Sequence, residues 1–138
     1  MKETYIVVSG YFDPLHIGHL EYLKNAKKLG TKLIVIVNND NQATLKKGKP
    51  FMTCKERCII MDALECVDQV IESIDDDRTV RKTIASIHPT PHVFCNGGDQ
   101  FNTSIPESEI CEKLGIQLVD GLGDKIQSSS WLIKKSKS

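Results

Sequence analysis

Short apolar runs of strand length alternate with segments of helical periodicity along this chain, and that alternation limits the folds open to it. Residues 5–9 and 33–37 are apolar runs that predict buried strands. Between them, residues 15–29 place apolar side chains at helical spacing and are followed by Gly30, a typical residue beyond a helix end. The opening of the chain therefore predicts a strand, a tight turn, a helix and a second strand.

The same alternation continues through the rest of the chain. Residues 53–64 predict a helix, with Thr53 as N-cap and Glu56 three residues later. The remaining predicted elements are strands at 69–71, 92–95 and 116–119, helices near 78–87 and 106–114, and a last helix from about Ser129. Strands that alternate with helices form a parallel sheet covered on both faces. We therefore expect an α/β, doubly wound, Rossmann-like sheet of about five strands with helices on both faces, in one domain over residues 1–138.

Charge and composition exclude several classes of partner. Eighteen Lys and Arg residues balance eighteen Asp and Glu residues, so the chain lacks the strong field of a dedicated nucleic-acid or membrane-surface binder. The longest apolar run, at 33–37, has five residues, whereas roughly 20 are needed to cross a bilayer. Five cysteines without a CxxC pair, and an N-terminus without the pattern of a signal peptide, favour a cytoplasmic protein.

Four segments follow predicted strands and are where a ligand is expected. In doubly wound sheets, ligands bind beyond the carboxyl ends of the strands. The segments are residues 10–19, 38–49, 96–100 and 121–130. Residues 39–50, rich in Asn, Lys and Gly, are expected to form a loop over the site.

The most specific motif follows the first predicted strand directly and is Gly10-Tyr11-Phe12-Asp13-Pro14-Leu15-His16-Ile17-Gly18-His19. His16 and His19 are three residues apart, so at the start of a helix they project from the same face. A helix N-terminus attracts anions through its free N–H groups and its dipole, and two imidazoles add directed donors. The motif therefore predicts a polyphosphate site.

Two glycines of this motif have expected roles in phosphate approach. Gly18 lacks a side chain and would let a bulky ligand come close to the first turn. Gly10 permits an unusual backbone conformation, which would aim the N–H groups of Tyr11 and Phe12 at a phosphate.

The motif resembles the HxGH signature of the cytidylyltransferase-like nucleotidyltransferases, which include glycerol-3-phosphate cytidylyltransferase and heptose-1-phosphate adenylyltransferase. The likeness extends over most of the chain, through residues 37–40, 47–48, 56–57, 63–68, 97–99 and 128–130. The resemblance implies that a substrate phosphate attacks the α-phosphate of a nucleoside triphosphate and that pyrophosphate leaves. It also implies Mg²⁺, bound mainly through the triphosphate with no protein ligand assigned, and a homodimer.

The resemblance assigns catalytic roles to imidazoles and lysines. His16 and His19 would hold the triphosphate and stabilise the crowded α-phosphorus. Either Lys46 or Lys47 would contact phosphate, because the two branches of the family place their lysine differently.

Other residues receive substrate- or nucleotide-binding roles. Lys49 belongs to the same cationic cluster, and Arg57 matches a substrate-binding arginine, with a surface salt bridge as the alternative. Asp13 would orient the turn or its metal, or would hydrogen-bond its own backbone. Ser128–Ser130 would form a second anion site at a helix start or act as a simple N-cap. The predicted nucleotide-binding residues are Gly10, Tyr11, Phe12, Asp13, Gly18, Gly97, Asp99, Ser128, Ser129 and Ser130.

The sequence leaves the substrates open. Glu65, Gly123 and Asp124 depart from the glycerol-phosphate branch and disfavour glycerol 3-phosphate. The expected reaction is transfer of CMP or AMP from CTP or ATP to a small phosphorylated alcohol or sugar phosphate, with a heptose-like sugar 1-phosphate as one alternative. A non-catalytic nucleotide-binding module and a cysteine-based metal or redox sensor are rival hypotheses.

Overall fold

The computed structural model describes residues 3–13, 15–96 and 106–120, and for Lys47, Asn96 and Asp120 it describes the backbone only. Strands and helices alternate over these residues. In chain order the elements are β1 (Tyr5–Gly10), α1 (Ile17–Lys27), β2 (Lys32–Val37), α2 (Asp40–Lys47), α3 (Cys54–Asp62), β3 (Gln69–Glu72), α4 (Arg81–Ala85), β4 (Val93–Asn96), α5 (Ser108–Leu114) and β5 (Gln117–Asp120). The five predicted strands are confirmed, while the helix expected from Ser129 lies outside the described residues.

The five strands form one parallel sheet in the order β3-β2-β1-β4-β5. β1 is central, since Val7 pairs with Ile34 of β2 on one side and with Phe94 of β4 on the other. The chain moves outward from β1 to β3, then returns to β4 beside β1 and continues to β5. The order therefore reverses between β1 and β4, and a ligand crevice is expected beyond the carboxyl ends of these strands. The predicted doubly wound α/β class is confirmed.

The core has two layers, one on each face of the sheet. Alternate strand residues point to opposite faces, so Ile6 and Val8 pack with Leu23 of α1 and Met61 of α3. The other face is formed by residues such as Val7, which pack with Ile84 of α4 and Cys111 of α5. Because both faces are covered, the strands are almost continuously apolar.

One predicted loop is a helix. Residues 39–50 were expected to be irregular, yet α2 occupies most of that segment. Asn39 caps the helix through its Oδ1, which accepts the Gln42 amide at 2.8 Å, while Gln42 Oε1 accepts the Asn39 amide at 3.0 Å. This reciprocal capping box satisfies two backbone donors that would otherwise be unpaired, and it outweighs the loop-like composition. The helix ends at Gly48, whose φ is 86°.

The predicted start of α3 is confirmed. Thr53 is its N-cap, with the Thr53 Oγ1 accepting the Glu56 amide at 3.2 Å, and the Glu56 side chain accepts the Thr53 amide in return. Across the described ranges, no helix has the length and apolar character needed to cross a membrane.

Candidate functional site

The turn between β1 and α1 is held by close packing beneath it. Phe12 is 2% exposed and has a φ of 51°, a left-handed backbone conformation that is uncommon for a side chain of this size. A Cβ atom added to Gly10 would lie 2.7 Å from the Phe12 ring. The glycine is therefore required by the ring packed against it, and the unusual conformation expected at Gly10 is found at Phe12.

Gly18 likewise makes room for a neighbouring ring. A Cβ atom there would lie 3.0 Å from Cε1 of His16. The position of the imidazole is thus one reason for this glycine, and its expected role in the approach of a ligand stays a prediction.

The two imidazoles of the motif are brought together at the first turn of α1. The ring centroids of His16 and His19 are 3.9 Å apart with an interplanar angle of 27°, and Phe12 meets the His19 ring edge-on at 5.1 Å. His16 is the N-cap, and its Nδ1 accepts the Gly18 amide at 3.1 Å. The Nδ1 of His19 accepts the His16 amide at 3.1 Å. The motif thus builds a capping box from histidines.

These hydrogen bonds assign the tautomers of both neutral rings. A neutral imidazole carries one N–H group and one acceptor nitrogen. Because Nδ1 of each ring accepts a backbone amide, the proton resides on Nε2. Both Nε2–H groups are thereby available as donors to a ligand at the start of α1.

The electrostatics of the turn keep His19 neutral. Burial lowers the pKa of His19 to about 4, and electrostatic interactions with the His16 imidazole and the Lys46 ammonium add to this effect. At neutral pH, His19 is therefore a hydrogen-bond donor without net charge.

Lys46 contacts the turn between β1 and α1 through the ring of Tyr11. Its Nζ lies 4.4 Å from the centroid of the Tyr11 ring, a distance typical of a cation–π contact. Its charge also contributes to lowering the pKa of His19. The side chain of Lys47 is not described, and Lys49 is exposed in the segment between α2 and α3.

Asp13 connects the first turn to the segment before α3. Its Oδ2 accepts the Phe51 amide at 2.8 Å, and its Oδ1 accepts the Met52 amide at 2.7 Å. The carboxylate is 9% exposed. These bonds give Asp13 a role that was not considered from sequence, since the carboxylate holds the backbone of a neighbouring segment.

Arg57 is buried between the carboxyl ends of β1 and β2. Its Nη1 donates to the backbone oxygens of Tyr11 at 2.8 Å and Asn38 at 2.7 Å. Its Nε donates to the Met52 oxygen at 3.0 Å, and its Nη2 pairs with Asp40 Oδ1 at 2.9 Å. The side chain is 0% exposed. A direct contact with substrate, the expected role, would require this guanidinium to give up a buried partner.

Sequence analysis missed an amide network that anchors α2. The Gln42 side chain is 0% exposed, and its Nε2 donates to the backbone oxygens of Asp77 and Thr79. Asn39 Nδ2 donates to the oxygens of Ser73 and Asp75, both at 3.0 Å. The spacing of Asn39 and Gln42 was the available signal, since it matches a capping box.

Several predicted binding residues cannot be placed. Gly97, Asp99, Ser128, Ser129 and Ser130 lie outside the described residues.

The cysteines show no sign of a metal or redox centre within the described residues. The Sγ atoms of Cys54 and Cys58 are 3.9 Å apart, and burial raises the pKa of both thiols. A raised thiol pKa disfavours the reactive thiolate. No group of three or more His, Cys, Asp or Glu side chains suited to a metal ion occurs in the described ranges.

A doubly wound parallel sheet with paired imidazole donors at the N-terminus of its first helix defines a nucleotide-binding α/β protein. The sequence pattern of the cytidylyltransferase-like family matches residues 7–133. The chain belongs to this family. The family predicted from residues 10–19 is thus confirmed.

Individual relatives agree with this membership. The chain is 41% identical over 109 residues to the bifunctional protein HldE of Citrobacter koseri and to that of Klebsiella pneumoniae, and the match covers 78% of this chain and 22% of each relative. This chain therefore spans about a fifth of their length. A lipopolysaccharide core biosynthesis protein from Thermoplasma volcanium has a similar structure, with a TM-score of 0.73, 32% identity and coverage of 87% of this chain and 95% of that chain.

Proposed function

We propose that this chain transfers CMP or AMP from CTP or ATP to a small phosphorylated alcohol or sugar phosphate and releases pyrophosphate. The observation that carries the proposal is the pair of Nε2–H donors of His16 and His19, fixed by backbone hydrogen bonds at the start of α1. Membership of the cytidylyltransferase-like family supports the same reaction class.

The reaction needs positioning more than proton transfer. An oxygen of the acceptor phosphate forms a bond to the α-phosphorus, while the bond to the oxygen bridging the α- and β-phosphates breaks and its electron pair leaves with pyrophosphate. A phosphate monoester loses its second proton near pH 6, so the nucleophile is already an anion at neutral pH. No general base is required, which fits a neutral His19 that only donates a hydrogen bond.

Charge neutralisation is the second requirement. The acceptor and the triphosphate are both anionic and repel each other until cations or dipoles lie between them. The positive end of the α1 dipole and the ammonium of Lys46 supply part of this neutralisation. Lys47 and Lys49 remain proposed contributors from the same cationic segment.

Mg²⁺ is proposed to enter with the nucleotide. The donors that the structure gathers at the turn are imidazole and ammonium groups, whereas Mg²⁺ prefers oxygen ligands and is commonly held by substrate phosphates. Both carboxylate oxygens of Asp13 already accept backbone amides. When bound through the triphosphate, the ion would neutralise its oxygens, and the protein groups would orient that complex.

The description of one structural relative supports a sugar phosphate as the acceptor. A lipopolysaccharide is assembled from sugars, and the structurally similar Thermoplasma protein is described as acting in biosynthesis of its core. A heptose-like sugar 1-phosphate with ATP is therefore one specific form of the proposal, and CTP remains the other nucleotide to test.

The decisive assay crosses nucleotides with acceptors. CTP and ATP, each with Mg²⁺, are incubated with glycerol 3-phosphate and a panel of sugar 1-phosphates, and pyrophosphate release is recorded. We expect release that depends on one acceptor class and is abolished in the double variant His16→Asn, His19→Asn. Nucleotide binding by calorimetry without pyrophosphate from any acceptor would instead indicate a non-catalytic nucleotide-binding module.

The oligomeric state is a separate proposal. The family resemblance implies a homodimer, and light scattering on the purified chain measures it directly. A monomer mass at assay concentration would contradict the proposed dimer and would leave the proposed reaction unaffected.

A further inference from the structure

We propose that Tyr11 is a positioning residue for Lys46, its ring holding the ammonium group beside the imidazole pair where the triphosphate is to bind. The inference rests on the proposed function, since it names a further part of the same site. The expected role of Tyr11 was a backbone N–H contact, so a role for its side chain is new.

The first observation is the contact itself. Lys46 Nζ lies 4.4 Å from the Tyr11 ring centroid, within the range in which the negative face of an aromatic ring attracts a cation. A lysine has four rotatable bonds and loses much conformational freedom when it is ordered. A ring that orders it before the ligand arrives reduces the entropy lost on binding.

The second observation is that the backbone carrying the ring is fixed. Arg57 Nη1 donates to the Tyr11 backbone oxygen at 2.8 Å, so the buried guanidinium holds this residue in place. The neighbouring Phe12 is buried and packs against Gly10. The ammonium group of Lys46 therefore contacts a ring whose backbone is held by the buried Arg57 side chain.

The third observation separates the ring of Tyr11 from its hydroxyl. The hydroxyl oxygen is buried and makes no hydrogen bond of good geometry among the described residues. Burial raises the pKa of Tyr11, while a polar contact with Arg78, on the loop after β3, and the charge of that guanidinium partly oppose this. A buried hydroxyl without a partner contributes little stability, so a phenylalanine ring should serve as well.

The fourth observation places the cation at the site. Tyr11 directly precedes Phe12, whose ring meets the His19 ring edge-on at 5.1 Å. The ring that Lys46 contacts therefore belongs to the same turn as the imidazole donors of α1, and the charge of Lys46 contributes to lowering the pKa of His19.

The test compares Tyr11→Leu, Tyr11→Phe and Lys46→Met, with a double variant of Tyr11→Leu and Lys46→Met. The readouts are the KM for CTP and ATP and the dissociation constant of each nucleotide by calorimetry. We expect Tyr11→Leu to raise both constants for the preferred nucleotide by about two- to fivefold with a smaller change in kcat, and Tyr11→Phe to restore them. In the Lys46→Met background, Tyr11→Leu should add little, because its partner is already gone.

Tyr5→Leu is the matched control. Tyr5 lies at the other end of β1 and stacks on His92 with centroids 6.1 Å apart. Its loss removes a tyrosine ring from the opposite end of β1 without touching Lys46. The nucleotide constants should not move in this variant, although the free energy of unfolding should fall.

The outcomes distinguish this inference from the proposed reaction. If Lys46→Met weakens nucleotide binding but Tyr11→Leu does not, or if Tyr11→Leu weakens it equally with and without Lys46, the positioning role is wrong and the reaction stands. If no acceptor yields pyrophosphate, the reaction is wrong, and the calorimetric constants still decide the role of Tyr11.

Discussion

The two ends of β1 carry the same hydrogen bond in different surroundings. At the amino end, His92 Nδ1 accepts the Tyr5 amide at 2.9 Å, and its ring stacks on Tyr5. At the carboxyl end, Nδ1 of His16 and of His19 each accept a backbone amide at 3.1 Å. Only the second arrangement stands at the N-terminus of an 11-residue helix with a lysine close by. An imidazole that accepts a backbone amide is thus an ordinary structural device, and the proposed phosphate site depends on the helix dipole, the second ring and the cation.

The largest expected effect is the loss of kcat when a histidine at the carboxyl end of β1, rather than at its amino end, is replaced. Asparagine is a strong N-cap at the position of His16, and at either position its side-chain oxygen can accept a hydrogen bond in place of Nδ1 while the Nε2–H donor is lost. We expect His16→Asn or His19→Asn to lower kcat by about 100- to 1,000-fold, as for loss of one preorganised donor. His92→Asn should leave kcat within about twofold. Steady-state pyrophosphate release measures all three, and equal losses in the three variants would refute the distinction between the ends.

The fold and part of the site could be predicted from the sequence because their signals are local. Strand-length apolar runs gave the five strands, and Thr53 with Glu56 gave the start of α3. Helical spacing placed His16 and His19 on one face, and the structure stacks their rings.

The rest depends on contacts between distant residues. The contact between Lys46 and Tyr11 joins positions 35 residues apart in sequence, and the bonds of Arg57 to Tyr11 and Asn38 are visible only after folding. Gly10 was correctly singled out but for the wrong reason, because the ring that needs its space belongs to Phe12. The helix α2 was missed because composition was weighed above its capping box.

A second prediction compares an ion pair from each end of the sheet. Arg57 pairs with Asp40 at the carboxyl end and is 0% exposed, whereas Lys27 pairs with Asp68 on the surface near the start of β2. Arg57→Met should lower the free energy of unfolding by about 3 kcal/mol, since it also leaves three backbone oxygens without their donor.

Lys27→Met should lower the free energy of unfolding by less than about 1 kcal/mol, because both charged groups of the Lys27–Asp68 pair are partly exposed to solvent. Arg57→Lys should not restore stability, because a single ammonium cannot reach all of these acceptors. Urea unfolding measures each value. A cost for Arg57→Met no larger than that for Lys27→Met would show that the buried guanidinium is not a structural link.

A third prediction uses two glycines. An added Cβ would lie 2.7 Å from the Phe12 ring at Gly10 and 2.6 Å from the Thr4 backbone oxygen at Gly30. Both Gly10→Ala and Gly30→Ala should lower stability, by about 1 to 3 kcal/mol. Only Gly10→Ala should also raise the KM for nucleotide, because Phe12 packs against His19. A raised KM in Gly30→Ala at a temperature where it is fully folded would weaken the account.

The smallest effect is a pH dependence of stability. His19 has a pKa of about 4 in the folded chain against 6.5 when unperturbed. Between these values the unfolded chain binds a proton that the folded chain does not, so the free energy of unfolding falls as pH drops from 6.5 to about 4. His19→Asn should have a shallower slope over this window in urea titrations and an unchanged slope at neutral pH. Identical slopes in both proteins would mean that His19 is not held neutral.

Nitrogen-15 NMR of labelled imidazoles, with and without ATP or CTP and Mg²⁺, tests the central claim most directly. The structure predicts that His16 and His19 at neutral pH carry the proton on Nε2 and leave Nδ1 unprotonated. Addition of the preferred nucleotide should then shift both Nε2–H resonances and leave that of His92 in place. A proton on Nδ1 of either ring would contradict the account, and so would His16 and His19 resonances whose chemical shifts do not change at saturating nucleotide.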